Sequence, residues 1–333
     1  MGKLDMVNTD SIDLEESHHN AKKFAPILIP TLCRYDKFKS CIESLQLNSG
    51  AEETELFIAL DYTLKLEHKS GYDQINRYLE TITGFKRVNV IRRERNMGAK
   101  YNIITSTKSI FEKYDRMILS EDDNVFSPNF LEFINKGLIR FENDKSIFAI
   151  CGYRHFYNIK FDENNFFFQN ADMSAWGYGI WRDRHRELVS KGTSRYFRKK
   201  LFNPITFFSI WRRGGNQLIS FFIAANKKRD KDILSFPDGI MSIYMYLNRM
   251  YCVMPTVSKV RNTGFDGSGD SVFINDEIQK KHDFQEIDTE SHFTYRGEDY
   301  FIKHNKCVFR KENYGKLSVK ELILVIIKRY FKI

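Results

Sequence analysis

The chain has 333 residues, 42% hydrophobic and 29% charged, ample for one large packed domain with an extension. A formal net charge of +9 suits a polyanionic partner, whether nucleic acid, anionic lipid or a phosphorylated small molecule. The five cysteines are scattered and form no CxxC pair, which argues against a zinc site or disulfide framework; no apolar run reaches the length of a membrane-spanning helix.

Residues 1–23 are polar, lack the apolar stretch of a signal peptide and read as a flexible arm of a cytoplasmic protein. Phe24 to Thr31 is a short buried strand. From Tyr35 to Leu47, Phe38, Cys41, Ile42 and Leu45 fall on one helical face. Glu55 to Leu60 is a second strand that ends at Asp61. Ser70 to Thr83 is a helix with Tyr72, Ile75, Tyr78, Leu79 and Ile82 as its stripe. Arg87 to Arg92 is a third strand, Ala99 to Tyr114 a third helix, Arg116 to Ser120 a fourth strand and Pro128 to Phe141 a further helix. This alternation predicts a parallel α/β sheet, nucleotide-binding in style, over residues 24–150.

The fourth strand runs directly into Glu121-Asp122-Asp123. Three adjacent carboxylates repel one another, and burying them without a counter-charge costs several kcal/mol. Hard carboxylate oxygens suit magnesium, manganese or calcium. A ligand site belongs at the carboxyl end of such a strand. The competing reading is a solvated acidic turn before the Ser127-Pro128 helix start.

Beyond residue 147 the pattern changes. Ile147 to Gly152 is a strand. The run from Ala175 to Trp181, with Trp176 to Gly179 as a loop, is glycine-aromatic and lies before a charged helix, Arg182 to Ser190. Asn216 to Asn226 and Asp238 to Arg249 are helical, and Val257 to Gly269 is a strand followed by a glycine-rich loop. From Leu317 to Ile333, apolar residues alternate with Lys320, Lys328, Arg329 and Lys332. A basic amphipathic helix of this kind can lie on an anionic leaflet.

Four landmarks stand in order: Ile29-Pro30-Thr31-Leu32-Cys33-Arg34-Tyr35, Asp61, Glu121-Asp122-Asp123, and Trp176-Gly177-Tyr178-Gly179 with Phe236-Pro237-Asp238 behind it. In these the chain resembles the GT-A glycosyltransferases over roughly residues 25 to 275. The likeness is to bacterial family 2-type enzymes of surface polysaccharide synthesis and to the GlcNAc-transferase of complex N-glycan synthesis. The resemblance implies a Rossmann-like, mixed but mostly parallel sheet flanked by helices, with a helical C-terminal extension at 276–333. The catalytic domain would span 24–275, a nucleotide-sugar half at 24–150 and an acceptor half at 151–275.

It further implies transfer from a nucleotide-diphosphate donor, commonly a UDP-sugar, to a glycan or lipid-linked hydroxyl, with inversion and with Mn2+ or Mg2+. By the family's pattern Asp123 is the metal ligand, Asp122 meets the ribose or the metal through water, and Glu121 lies near the donor sugar. Thr31, Arg34, Asp61, Asn96, Gly98 and Lys100 fall on the nucleotide side. Trp176 and Gly177 fall by the donor sugar or acceptor, and Asp238 is the general base. Many members place a histidine late in the flexible loop; here Asp270 and Ser271 occupy that region, so Arg261 or Asp270 would serve instead. Peripheral contact with an anionic membrane follows from the basic C-terminus. A sugar nucleotidyltransferase is the enzymatic alternative, although the glycine-rich, basic signature of that group is absent after the first strand. A basic nucleic-acid-binding protein is the other alternative. It is disfavoured because the charges are scattered and the acid cluster repels phosphates, so no nucleic-acid partner is expected.

Overall fold

The computed structural model describes residues 24–155, 165–170, 172–192, 194–201, 203–210, 238–266 and 285–295. Along the chain these form β1 (Ile27–Thr31), α1 (Tyr35–Gln46), β2 (Glu55–Leu60), α2 (Leu66–Leu79), β3 (Arg87–Arg92) and α3 (Gly98–Lys113). Then come β4 (Arg116–Leu119), β5 (Asn124–Phe126), α4 (Phe130–Arg140), β6 (Ile147–Cys151), β7 (Phe166–Gln169) and β8 (Tyr178–Trp181). They are followed by α5 (Arg182–Lys191), α6 (Ser194–Leu201), α7 (Asp238–Leu247), β9 (Tyr251–Pro255) and β10 (Val260–Asn262).

Eight strands form one sheet in the order β3-β2-β1-β4-β8-β6-β9-β7, and β5 pairs with β10 in a separate ribbon. β1 to β4 are mutually parallel, whereas β8 is antiparallel to both β4 and β6, and β7 to β9. This is the mixed, mostly parallel sheet flanked by helices that the sequence predicts.

Strand alternation decides which helix covers which face. Ile27, Ile29, Leu56, Ile58 and Ile118 pack with α1, α2 and α4 in one apolar layer. Leu28, Ala59, Met117 and Ile180 point the other way and pack with α3, α5 and α7. Since successive strand side chains face opposite sides, a slip of one residue would exchange the two layers.

The first half follows the sequence expectation closely. α2 begins at Leu66 instead of Ser70, because its first turn is solvated and Leu66 is 88% exposed, so no inward stripe marks it. The glycine-aromatic run is corrected: Tyr178 and Gly179 lie inside β8, held between β4 and β6. Strands β5, β7 and β9 were absent from the sequence reading, being only three to five residues long. The expected helices at Asn216–Asn226 and Leu317–Ile333 lie outside the described residues. The four described cysteines are free thiols.

Residues 285–295 return to the domain. Lys259 and Asp288 form a buried ion pair, Asn129 donates to Asp288 at 2.7 Å, and Phe293 and Tyr295 pack on Phe133. On the opposite layer, His185 of α5 lies 4.9 Å from the Phe111 ring of α3. Burial there lowers its pKa to about 4. An unfolded chain protonates this imidazole near pH 6.5, while the folded one resists until about 4. The folded state therefore binds fewer protons in that window, and stability falls as pH drops through it. His185→Gln is expected to remove about 2–3 kcal/mol of acid-induced destabilisation between pH 7 and 4. Paired urea titrations at both pH values check this; identical pH slopes for the two proteins would refute it.

Candidate active site

The site forms where β1, β2 and β4 end at one edge of the sheet. Thr31 closes β1 and its hydroxyl donates to Asp122 Oδ2 at 2.7 Å. Arg34, just before α1, turns its guanidinium onto both aspartates. One Nη donates to Asp122 Oδ1, and the other lies 2.8 Å from Asp123 Oδ2. Asn262 of β10 donates to Asp123 Oδ1 at 2.8 Å. The fold thus supplies part of the counter-charge that the sequence argument left to a divalent cation. This planar fork spans two carboxylates, a geometry that lysine cannot reproduce.

Burial pushes the Asp122 carboxyl up, and Arg34 only partly pulls it back. Glu121 rises well above the ordinary range, first through burial and then through repulsion by Asp123, Asp238 and Asp122. Arg34 is held above its ordinary value because its two aspartates outweigh the cost of burial.

On the nucleotide side, Asp61 is almost fully buried. Its Oδ1 accepts from the backbone N–H of Tyr62 at 2.9 Å and of Met97 at 2.8 Å. Asn96 donates to the Tyr62 carbonyl at 2.6 Å. Asp61 and Asn96 thereby tie the loop after β2 to the loop before α3, which Gly98 opens with a φ of 72°. Lys100 sits 5.7 Å over the ring of Tyr101. Arg93 reads in sequence as one of a solvated basic run. Its guanidinium instead reaches Asn102, Thr105 and Ser106 at 2.7–2.8 Å and anchors α3.

Across the cleft, Asp238 begins α7 and its Oδ2 accepts from the Ala175 N–H at 3.1 Å. Burial raises the Asp238 carboxyl, against the opposing pull of that N–H and of His155. Trp176 is half-buried between Tyr153, 4.6 Å away, and Phe265, 5.6 Å away, so part of its indole is committed to packing. Gly177 has a φ of 70°, and a Cβ there would meet Phe130 and Val260 at 2.9–3.1 Å. Backbone conformation and packing suffice to account for that glycine.

Residues 261–266 form a strap over the acid cluster. Thr263 donates its N–H and hydroxyl to the Asp123 carbonyl at 2.8 and 2.9 Å. A Cβ on Gly264 would stand 2.1 Å from Asp123 Oδ2, so only glycine lets the backbone lie there. Lys37 fastens the strap from α1, 2.7 Å from the Thr263 carbonyl and 3.0 Å from Asp266. Arg261 donates through Nε and Nη2 to the Gln285 carbonyl, so it holds the returning segment. Asp270 lies outside the described residues. Sequence reasoning missed Lys37, Asn262 and Thr263; the one available signal was Lys37 falling one helical turn after Arg34.

Among the described residues, no three His, Cys, Asp or Glu side chains make a ready-made metal cage. The donor set still fits a hard divalent cation, which commonly uses one or two carboxylates and completes its shell with water and phosphate oxygens. Burial first, and then the three neighbouring carboxylates, oppose the charge on Glu121, and Arg34 favours it.

No family model matches the sequence, and no curated protein matches it. Among solved structures, S. aureus TarS is 14% identical, with a TM-score of 0.28 over 43% of this chain; the chain spans 24% of the length of TarS. A mannosyltransferase from Pyrobaculum calidifontis, solved with GDP-Man and Mn2+, is 8% identical over 71% of this chain and 80% of its own, with a TM-score of 0.38. Mouse xyloside xylosyltransferase 1 is 10% identical over 68% and 83%, with a TM-score of 0.34.

Proposed function

We propose that the protein is a metal-dependent, inverting glycosyltransferase of surface polysaccharide synthesis. It would move a sugar from a nucleotide-diphosphate donor, by preference a UDP-sugar, to a hydroxyl of a glycan or lipid-linked acceptor. The observation that carries this reading is the clasp of Thr31, Arg34 and Asn262 on Asp122 and Asp123 at the end of β4, with Asp238 close enough to act on Glu121. A bound Mn2+ or Mg2+ would act as a Lewis acid that neutralises the diphosphate leaving group.

The remaining chemistry belongs to side chains. Asp123 would hold the cation, with Asp122 at the ribose or behind a water. Arg34 offers its fork to the diphosphate. The loops tied by Asp61 and Asn96, with Gly98 and Lys100, receive the nucleoside. Glu121 and Trp176 border the donor sugar. Asp238 takes the proton from the acceptor hydroxyl as the new bond to the anomeric carbon forms and the bond to the diphosphate breaks. A carboxyl raised by burial is the stronger base for that proton. Residues 24–150 would form the nucleotide-sugar half and 151–275 the acceptor half.

Calorimetry with UDP, GDP and CDP, each with and without Mn2+, tests this reading. One nucleotide is expected to bind at least about tenfold more tightly with the metal, as a cation bridging carboxylate and phosphate requires. Absence of any metal-linked nucleotide binding would count against the transferase.

A further inference from the structure

The sheet layer that carries α7 is closed on its outer side by α6 and residues 204–210. Phe197 and Ile210 are buried in one apolar cluster with Met241, Tyr244 and Met245 of α7. The hydroxyls of Ser209 and Tyr246 share a 2.6 Å hydrogen bond, and Tyr196 reaches Asn248 at 3.4 Å. The inward side of this segment is thus fully used in covering α7, the helix that starts at Asp238.

The outward side is unlike a solvated helix face. Ile205 is 82% exposed and Phe208 58% exposed. They lie three residues apart, on one helical face. Arg195 and Lys199, four apart on α6, are exposed as well. From Lys191 to Ile210 the sequence holds five Lys and Arg and no Asp or Glu.

Bulky apolar groups presented beside cations match an interface that is anionic at its surface and apolar just beneath. We infer that the outer face of residues 194–210 docks on an anionic lipid bilayer, with Ile205 and Phe208 entering the boundary between headgroups and chains. Arg195 and Lys199 then meet the headgroups. A nucleic acid would satisfy the cations but offers no apolar phase for Ile205 and Phe208. The surface is separate from the basic C-terminus on which the sequence placed a membrane contact, and α7 connects it to Asp238.

Co-sedimentation of the full chain with sucrose-loaded vesicles tests it without nucleotide or metal, so its failure is separate from failure of the transferase reading. The protein is expected to bind phosphatidylcholine vesicles containing phosphatidylglycerol and not phosphatidylcholine alone. Arg195→Gln with Lys199→Gln should weaken binding about 25-fold, at about fivefold per cation. Ile205→Ser with Phe208→Ser should weaken it by about tenfold or more and leave some binding that high salt abolishes. Thermal melts should show both double variants folded, with the Arg195 and Lys199 changes leaving the parent's midpoint unmoved because those side chains are exposed. The inference is overturned if the parent protein ignores anionic vesicles, or if either double variant binds them as the parent does. Duplex DNA binding as tight as vesicle binding and indifferent to the serine changes would overturn it, as would a dimer that those changes dissociate.

Discussion

Asp123→Asn is expected to reduce sugar transfer by about a thousandfold or more. It removes the negative charge that would anchor a cation against the diphosphate, and a loss of about 4 kcal/mol of charge stabilisation corresponds to that factor. The fold should survive, because an asparagine carbonyl still accepts from Asn262 or Arg34. Calorimetric titration with Mn2+ alone should lose the wild-type binding heat. Full Mn2+-dependent transfer by the variant would remove Asp123 from the role of ligand.

Arg34→Met should act in the opposite sense on the same titration. The guanidinium occupies both aspartates, so its loss leaves Asp122 and Asp123 to the metal and strengthens Mn2+ binding. Nucleotide diphosphate binding should weaken, since the planar fork for phosphate is gone. Without Mn2+ the variant should melt lower, with two largely buried carboxylates uncompensated, and Mn2+ should restore most of the difference.

Asp238→Asn should lower kcat by about two to four orders of magnitude, the usual contribution of a positioned general base. Donor affinity should change little, because the role proposed for Asp238 is toward the acceptor hydroxyl. The amide oxygen can still accept from the Ala175 N–H, so the start of α7 is preserved. The pH profile carries the second readout. In the parent protein the acid limb of kcat should lie above the ordinary carboxylate range, as burial of Asp238 requires. In the variant that limb should disappear. A variant within about threefold of the parent in kcat would shift the base role to Glu121, whose carboxyl is also raised by burial.

The alternation of β1 to β4 with α1 to α4 was legible residue by residue. β1, β2 and β4 are short, largely apolar runs, β3 is an alternating Val-Asn-Val stretch between arginines, and α1 repeats its inward residues at helical spacing. Phe38, Cys41, Ile42 and Leu45 are all completely buried as that spacing predicts. The acid cluster was legible for an equally local reason, since three consecutive carboxylates after a strand concentrate charge whatever surrounds them. Beyond residue 150 the reading weakened. β8 contains a glycine between aromatic residues and owes its conformation to pairing with β4 and β6.

Neighbouring positions in the chain therefore specified the alternating architecture and located the carboxylates at a strand's end. Three-dimensional packing chose the groups that answer them. Arg34 reaches Asp122 across 88 residues, Thr31 across 91, and Asn262 reaches Asp123 across 139. It also turned Arg261 away from the acids to Gln285 and laid Gly264 against Asp123. Periodicity and charge density are properties of adjacent residues, whereas Coulomb attraction and hydrogen bonding act over a few ångströms of space. Only the folded sheet brings such distant partners within that range.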